Sequence, residues 1–292
     1  MTPTARHLTA ACLLAIFASP RFLVAQSPPA WRRVIPGLEV ASAQVPHRAP
    51  SPISTVRLTA LRADPNLIRV RVIDVGAASE SAGVVARQQL SRYGIASLRS
   101  LQSSLPRAVA AINGGFVTSY AFPRPVGLAV VNHKEIGRLS EAVLLSGVLC
   151  VGDKARIDIL PARVYADSGK PQTPGGGQPM CLDALQAGPL LVERPGRNGI
   201  TSSEPSDRVH TRSGVCVDDS GRVLLLYASA TSLFDLAAAL RVPEEKGGFG
   251  CAVALNLSGD SDAGLMWREG KQFESVGSLD ASLATALVLE VR

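Results

Sequence analysis

What this chain of 292 residues has little of narrows its functions first. Aromatic residues make up only 4% of it. Its net charge of +6 comes almost wholly from arginines scattered along the chain, Arg outnumbering Lys 25 to 5. A nucleic-acid reader concentrates positive charge and interleaves it with stacking rings, so no nucleic-acid partner is expected. A mild positive field still suits anionic envelope polymers or phosphorylated sugars. Beyond the first residues no apolar run approaches the roughly 20 residues that cross a bilayer, so no stable membrane span is expected once a leader is removed. The five cysteines form no C-x-x-C pair, which argues against a structural zinc site or a thioredoxin-type centre. There is no G-x-S-x-G, no H-E-x-x-H and no dinucleotide fingerprint, and the three successive glycines within 169–179 are followed by neither Lys-Ser nor Lys-Thr, as a phosphate loop requires. Only His47, His133 and His210 follow the leader, and each is expected at the surface. Neither a metal nor another cofactor is expected.

What is there begins with a secretory pattern. Arg6 and His7 precede an apolar run over 8–18, then Ser19 and Pro20, with small residues at Ala25 and Ser27. The run is too short to span a membrane and reads as a signal peptide over 1–26, which places the mature protein outside the cell or in the periplasm. Residues 27–53 are rich in Pro, Ser and Ala and read as a linker or an arm laid over the body. The body is expected as one domain over 54–292, with a hydrophobic share, 46% of the chain, ample for a core. Cys150, Cys181, Cys216 and Cys251 follow the leader, an even number in an oxidising compartment, and three disulfide connectivities are open. Cys216 and Cys251 also read as buried thiols within apolar runs.

Period-two alternation predicts strands over 55–61 and 67–73, separated by Asp64-Pro65-Asn66 and forming a two-strand unit. Helical patterns follow over 81–93 and just before Pro106. Strands are expected near 109–112, 125–131, 141–151, 155–160 and 186–192, the last broken by Gly188-Pro189. Further strands are expected from Arg212 to Val217, over 222–227 and 251–257, and over 285–291. A helix capped by Ser232 runs through Leu240. Strands dominate and connect mostly by hairpins. The expected class is α+β, with a mixed, mainly antiparallel β-sheet core and a few helices in a single domain.

The stretch Asn113-Gly114-Gly115-Phe116 ends a buried strand in two glycines, which allow backbone angles that Cβ-bearing residues avoid. Peptide N–H groups there can line a concavity for an oxyanion, with the Asn113 amide adding donors. Asn113 can equally cap its own turn. Gln186 reads either as a site residue or as a satisfied buried amide, and Arg212 either as a ligand clamp or as a surface ion pair. Asp260 and Asp262, in a Gly-Ser loop, can serve catalysis, bind calcium or sit in solvent. His210 is a candidate proton donor.

Taken in order, these stretches resemble the phosphodiester glycosidase family, from about residue 54 to the end. The family pattern opens with Asn-Gly-Gly-Phe (Asn113 to Phe116), then Pro-x-Gly-Leu (Pro125 to Leu128) and Gln-Ala-Gly-Pro-x-Leu-Val (Gln186 to Val192). An Arg-Thr step matches Arg212-Ser213, and the final Asn-Leu-Asp-Gly-Gly-Gly-Ser loop matches Asn256 to Asp262. In that loop Ser258 replaces the family's carboxylate, and Asp260 and Asp262 appear two and four residues on. The resemblance implies a hydrolase that cleaves the bond between a sugar and a phosphate ester in envelope or exopolysaccharide material. Its alternative is a catalytically impaired relative that binds carbohydrate or helps assemble polysaccharide. The implied catalytic residues are Asp260, Asp262 and Arg212. Implied substrate contacts are Asn113, Gly114, Gly115, Phe116, Gln186, Asn256, Ser258 and Gly259, and the implied partner is a glycan or sugar-phosphodiester.

Overall fold

A computed structural model describes residues 27–45, 56–81, 96–152, 156–168, 181–200 and 208–292. The expected leader, nearly all of the helix over 81–93, the glycine-rich stretch 169–179 and His47 lie outside these residues.

In chain order the strands are β1 (Arg32–Ile35), β2 (Leu38–Val45), β3 (Val56–Ala63), β4 (Ile68–Asp74), β5 (Ala108–Asn113), β6 (Ala129–Val131), β7 (Lys134–Gly137), β8 (Gly147–Val151) and β9 (Ile157–Pro161). Then come β10 (Asp183–Ala187), β11 (Leu190–Glu193), β12 (Arg197–Asn198), β13 (His210–Asp218), β14 (Val223–Thr231), β15 (Cys251–Gly259), β16 (Gly264–Glu269), β17 (Gln272–Gly277) and β18 (Thr285–Val291). Among the described residues four short helices accompany them: α1 (Val75–Ser81), α2 (Leu98–Ser104), α3 (Ala162–Ser168) and α4 (Leu233–Arg241).

The strands form three sheets. An eight-stranded sheet runs β1-β2-β3-β14-β13-β15-β11-β12, and two five-stranded sheets run β7-β6-β10-β8-β9 and β17-β16-β5-β18-β4. Neighbouring strands within these sheets are antiparallel throughout, so the mainly antiparallel expectation holds.

Alternate side chains of a strand point to opposite faces, and here both faces are covered. Val215 and Val217 of β13, Val223 and Leu225 of β14 and Leu287 and Leu289 of β18 point into one central core shared by all three sheets. On the outer face of the large sheet, Cys216, Leu224 and Leu226 pack under Leu236 and Leu240 of α4. Ala111, Met266 and Val288 pack under Val75 of α1 and Leu98 and Leu101 of α2. Val130, Val148 and Ala184 pack under Tyr165 of α3. Double-sided burial explains why the 251–257 stretch is apolar without alternation.

Several expectations change. The strands either side of Asp64-Pro65-Asn66 do not pair. β3 joins β2 and β14 in the large sheet, while β4 joins β18 in a small one. Asp64 Oδ1 accepts from Asn66 N at 2.8 Å, so the turn is real, but it carries the chain between sheets. The stretch read as an arm supplies β1 and β2 at one edge of the large sheet, with Leu38 fully buried. Likewise Gly188-Pro189, a cis peptide, separates β10 in one sheet from β11 in another. The cysteines pair as Cys150–Cys181 and Cys216–Cys251. That selects one of the three open connectivities and replaces the buried-thiol reading of Cys216 and Cys251.

Candidate active site

Four strand ends meet where the large sheet hands the chain to its smaller neighbour. β15 ends at Gly259, a single 3-10 turn over Asp260–Asp262 follows, and β16 begins at Gly264 beside the end of β5. The start of β13 lies alongside, Arg212 pairing with Gly259.

Ser213 joins the pieces. Its hydroxyl donates to Ser258 O at 2.9 Å and accepts from Asn113 Nδ2 at 2.9 Å. Asn113 is fully buried, its second amide hydrogen goes to Gly114 O at 3.1 Å, and its Oδ1 accepts from Gly264 N at 3.1 Å. The Asn113 amide, expected as an anion donor, is therefore engaged in tying β5 to β13 and β16. Gly114 N donates to Thr285 O at 2.8 Å. Neither Gly114 nor Gly115 has a positive φ. They are glycines because of close approach: an added Cβ would stand 2.6 Å from Thr285 O at Gly114 and 3.0 Å from Gln186 O at Gly115. Gln186 is buried with all four hydrogen bonds made. Its Nε2 donates to Ser140 O and Leu145 O at 2.7 and 2.8 Å, and its Oε1 accepts from Leu128 N and Ser140 N at 3.0 and 2.8 Å. It pins the 139–146 loop to β10. Phe116 is half-buried, and its carbonyl accepts from Val126 N at 2.9 Å.

The two loop carboxylates differ. Asp260 sits at φ +55° with an exposed side chain and meets His210 Nδ1 at 2.8 Å. Asp262 is buried, 7% exposed. Its Oδ2 accepts from Ser258 Oγ at 3.3 Å and Tyr120 OH at 3.4 Å, and its Oδ1 from Ser261 Oγ at 3.3 Å. All three bonds are long for O–H···O, so the carboxyl is loosely held. Burial pushes its pKa above the ordinary carboxylate value, with a smaller push from the Asp260 charge, and the three hydroxyls oppose the shift.

Arg212 is the cation of the site. Its Nη2 donates to Arg208 O at 3.2 Å, while Nε is buried with no hydrogen-bond partner among the described residues. Burial lowers its pKa, and the Asp260 charge acts the other way. The surface ion pair that the sequence left open is not found among the described residues. Of the three buried side-chain polar atoms without a partner there, two belong to this corner, Arg212 Nε and Asn256 Oδ1. Asn256 Nδ2 is held by Gly188 O at 2.8 Å. Buried polar atoms are normally satisfied, so such exceptions mark where a ligand can supply the missing bond. Gly259 lies tight against this group, since an added Cβ would be 2.7 Å from Thr211 O and 3.6 Å from Arg212 Nη1.

The structure thus gathers Arg212, Ser258, Gly259, Asp260 and Asp262, with His210. Asn113, Gly114 and Gln186 stand behind them as support. Sequence reasoning missed Tyr120 and the linking role of Ser213. Tyr120 had a signal, an aromatic cluster four to six residues past Phe116 in a chain poor in rings. No group of three or more acidic, His or Cys side chains suited to a metal occurs among the described residues. A separate cleft of about 650 Å³ opens between Arg194, Asp218, Arg222, Arg241 and Glu244, and none of these site residues lines it.

Fold and site together define a β-rich domain with a buried carboxyl and an under-satisfied arginine at a crossover between sheets. A family model for phosphodiester glycosidases matches residues 106–290. The chain belongs to the phosphodiester glycosidase family. No curated protein matches the sequence. Among solved structures, the catalytic domain of zebrafish N-acetylglucosamine-1-phosphodiester alpha-N-acetylglucosaminidase, auto-inhibited by its pro-peptide, is similar with a TM-score of 0.58 at 13% identity, covering 91% of this chain and 88% of that one. A hypothetical protein from Synechocystis gives 0.54 at 15% identity over 91% of this chain, which spans only 64% of that protein. An exported protein from Burkholderia pseudomallei gives 0.53 at 12% identity, over 81% of this chain and 74% of that one. At these identities the likeness is one of fold.

Proposed function

We propose that this protein hydrolyses sugar-1-phosphodiesters, with Asp262 as the working carboxyl and Arg212 as the phosphate clamp. The observation that carries the reading is that one corner holds a buried, loosely bonded carboxyl, Asp262, and a half-buried guanidinium, Arg212, whose buried Nε has no partner among the described residues. In such a substrate the leaving group is a phosphate ester and already stable as an anion. The protein's task is to stabilise positive charge at the anomeric carbon and to deliver water. A carboxylate in a partly desolvated pocket does both: it attracts the developing charge more strongly than in water and accepts the proton of the attacking water. The planar guanidinium of Arg212 offers parallel N–H donors to the departing phosphate. Asp260, held by His210, keeps a negative charge near Arg212 and orients the turn that carries Asp262.

The resemblance puts a serine, Ser258, where the family carries its carboxylate. Here the Ser258 hydroxyl donates to Asp262 at 3.3 Å, a bond that supports reading Asp262 as the substitute for that carboxylate. A binding-only role in polysaccharide assembly is the second reading, and the serine at 258 is what favours it. We place the protein outside the cell or in the periplasm, acting on envelope or exopolysaccharide material. The N-terminal leader pattern supports this, as do two disulfides, which persist in oxidising compartments. The test is release of free sugar from a synthetic N-acetylglucosamine-1-phosphodiester and its homologues with other sugars. Arg212→Ala is expected to abolish release, and absence of turnover across the panel would leave the binding-only reading.

A further inference from the structure

A short flap follows the Asn113 turn. Val117 bridges Pro125, and Thr118 N donates to Arg124 O at 3.0 Å, closing the loop at its base. Its tip presents Tyr120 and Phe122, 57% and 63% exposed, and these are the only aromatic side chains among the large exposed apolar ones in the described residues. In a chain with so few rings, leaving two in water on one nine-residue loop forgoes the free energy their burial would supply. The loop is not remote from the chemistry, because the Tyr120 hydroxyl reaches Asp262 Oδ2. The ring of Tyr120 therefore stands beside the carboxyl with much of its surface open.

We propose that the 117–125 flap is the sugar-recognition element of the site, Tyr120 and Phe122 stacking against the apolar face of a pyranose whose anomeric carbon lies over Asp262. The inference rests on the hydrolase reading for the position of the anomeric carbon, and it adds what that reading lacks, the means of holding the sugar. An aromatic face carries partial negative charge and a pyranose presents a patch of C–H groups of partial positive charge. Arg212 recognises only the anion. Ring stacking supplies preference for a carbohydrate diester over any other phosphodiester, and the two rings give it without a new charge. Tyr120 has a second part as a positioning residue, because its hydroxyl is one of three long donors that bias the orientation of the loosely held Asp262 carboxyl.

The test uses the full chain and two probes, a synthetic N-acetylglucosamine-1-phosphodiester and dimethyl phosphate, which keeps the charge and lacks the sugar. Binding is measured by calorimetry in an Asp262→Asn background, where no turnover intervenes. Phe122→Ala is expected to weaken the sugar diester about three- to ten-fold and leave dimethyl phosphate unchanged, the range an aromatic contact commonly supplies. Tyr120→Ala should do the same, and Tyr120→Phe, which keeps the ring, should not. In the otherwise native enzyme, Phe122→Ala should raise KM by that factor and change kcat much less. Tyr120→Phe should move the limb of the pH–rate profile belonging to Asp262 to higher pH, since one hydrogen bond to the carboxylate is removed. Phe122 is exposed, so loss of folding does not confound the result.

Equal weakening of both probes, no weakening of either, or no binding of the sugar diester at all overturns the flap proposal. Flap-dependent binding in a protein without turnover sinks the hydrolase reading and leaves the flap standing. Turnover insensitive to both rings does the reverse.

Discussion

Asp262 carries opposite consequences for activity and stability. Its folded pKa lies above the ordinary 3.8, chiefly through burial, so the folded chain holds that proton more tightly than the unfolded one. Stability then falls as pH rises from the unfolded value through the raised folded one, and the whole cost is present above it. Asp262→Asn is expected to lower turnover by about 10²–10⁴-fold, the usual worth of a placed acid or base. The same variant is expected to melt above the native protein at neutral pH, with the gain vanishing below pH 3.8, as a pair of thermal scans would show. Gln186 behaves in the contrary way. Gln186→Leu strands four backbone groups, two of them buried and two on half-buried Ser140, so a loss on the order of 3 kcal/mol is expected in urea unfolding, with turnover per folded molecule near the native level. At this scale the residue types in the motifs were readable and their roles only partly so. Asn113, Gly114 and Gln186 look like ligand donors in a linear chain because their partners, Ser213, Thr285 and Ser140, are remote in sequence. Arg212 was legible as a candidate from charge and strand position, while the missing partner of its Nε shows only in the folded chain. Tyr120, although flagged by its neighbour Phe122, could not be given a role, because its partner appears only when the 260–262 turn folds back on it.

Among the elements, the two disulfides act on different sheets. Cys216–Cys251 ties β13 to the start of β15, at the end of that strand away from Gly259, and Cys150–Cys181 ties β8 to the chain just before β10. With partners 35 and 31 positions apart in sequence, restriction of the unfolded chain gives about 4 kcal/mol for each on the entropic model. Replacing Cys216 and Cys251 together by Ala is expected to lower unfolding free energy by up to that amount and to loosen the Arg212–Gly259 register, read as lower affinity for the diester. The double Cys150/Cys181 replacement should lower stability without that loss of affinity. Most strands of the body were legible from apolar alternation and turn residues, and β18 matches its expected span. Sheet membership was not. β3 finds β14, and β5 finds β16 and β18, at separations over which periodicity carries no information. The β16–β17 hairpin escaped although Gly270, at φ +62°, and Lys271 sit at its turn. The apolar and polar residues of β17 alternate weakly because most of its side chains are exposed.

For the molecule as a whole, three sheets wrapped round one core make the N-terminal strands part of the body. Leu38, fully buried, and Val40 point into the central cluster. Trp31 meets Phe249 edge-on with ring centroids 6.2 Å apart, and the Arg62 guanidinium lies 4.0 Å over the Trp31 ring. Arg62, mostly buried, is bridged by Glu39 at 2.7 Å and by Glu244 at 2.6 Å. A chain begun at residue 54, where composition alone put the start of the domain, would lose Trp31 and Glu39 from around Arg62 and expose β3 as a long, apolar edge. A buried cation stripped of one partner typically costs several kcal/mol, and an unpaired edge of that kind invites association. The 54–292 chain is therefore expected to aggregate or to melt well below the 27–292 chain in calorimetry and size-exclusion chromatography. Adding Arg62→Leu to the shorter chain should recover part of the difference, because it removes the stranded charge without restoring the edge. Equal melting of the two lengths would mean that β1 and β2 only lie against the body, as the Pro/Ser/Ala-rich composition first implied.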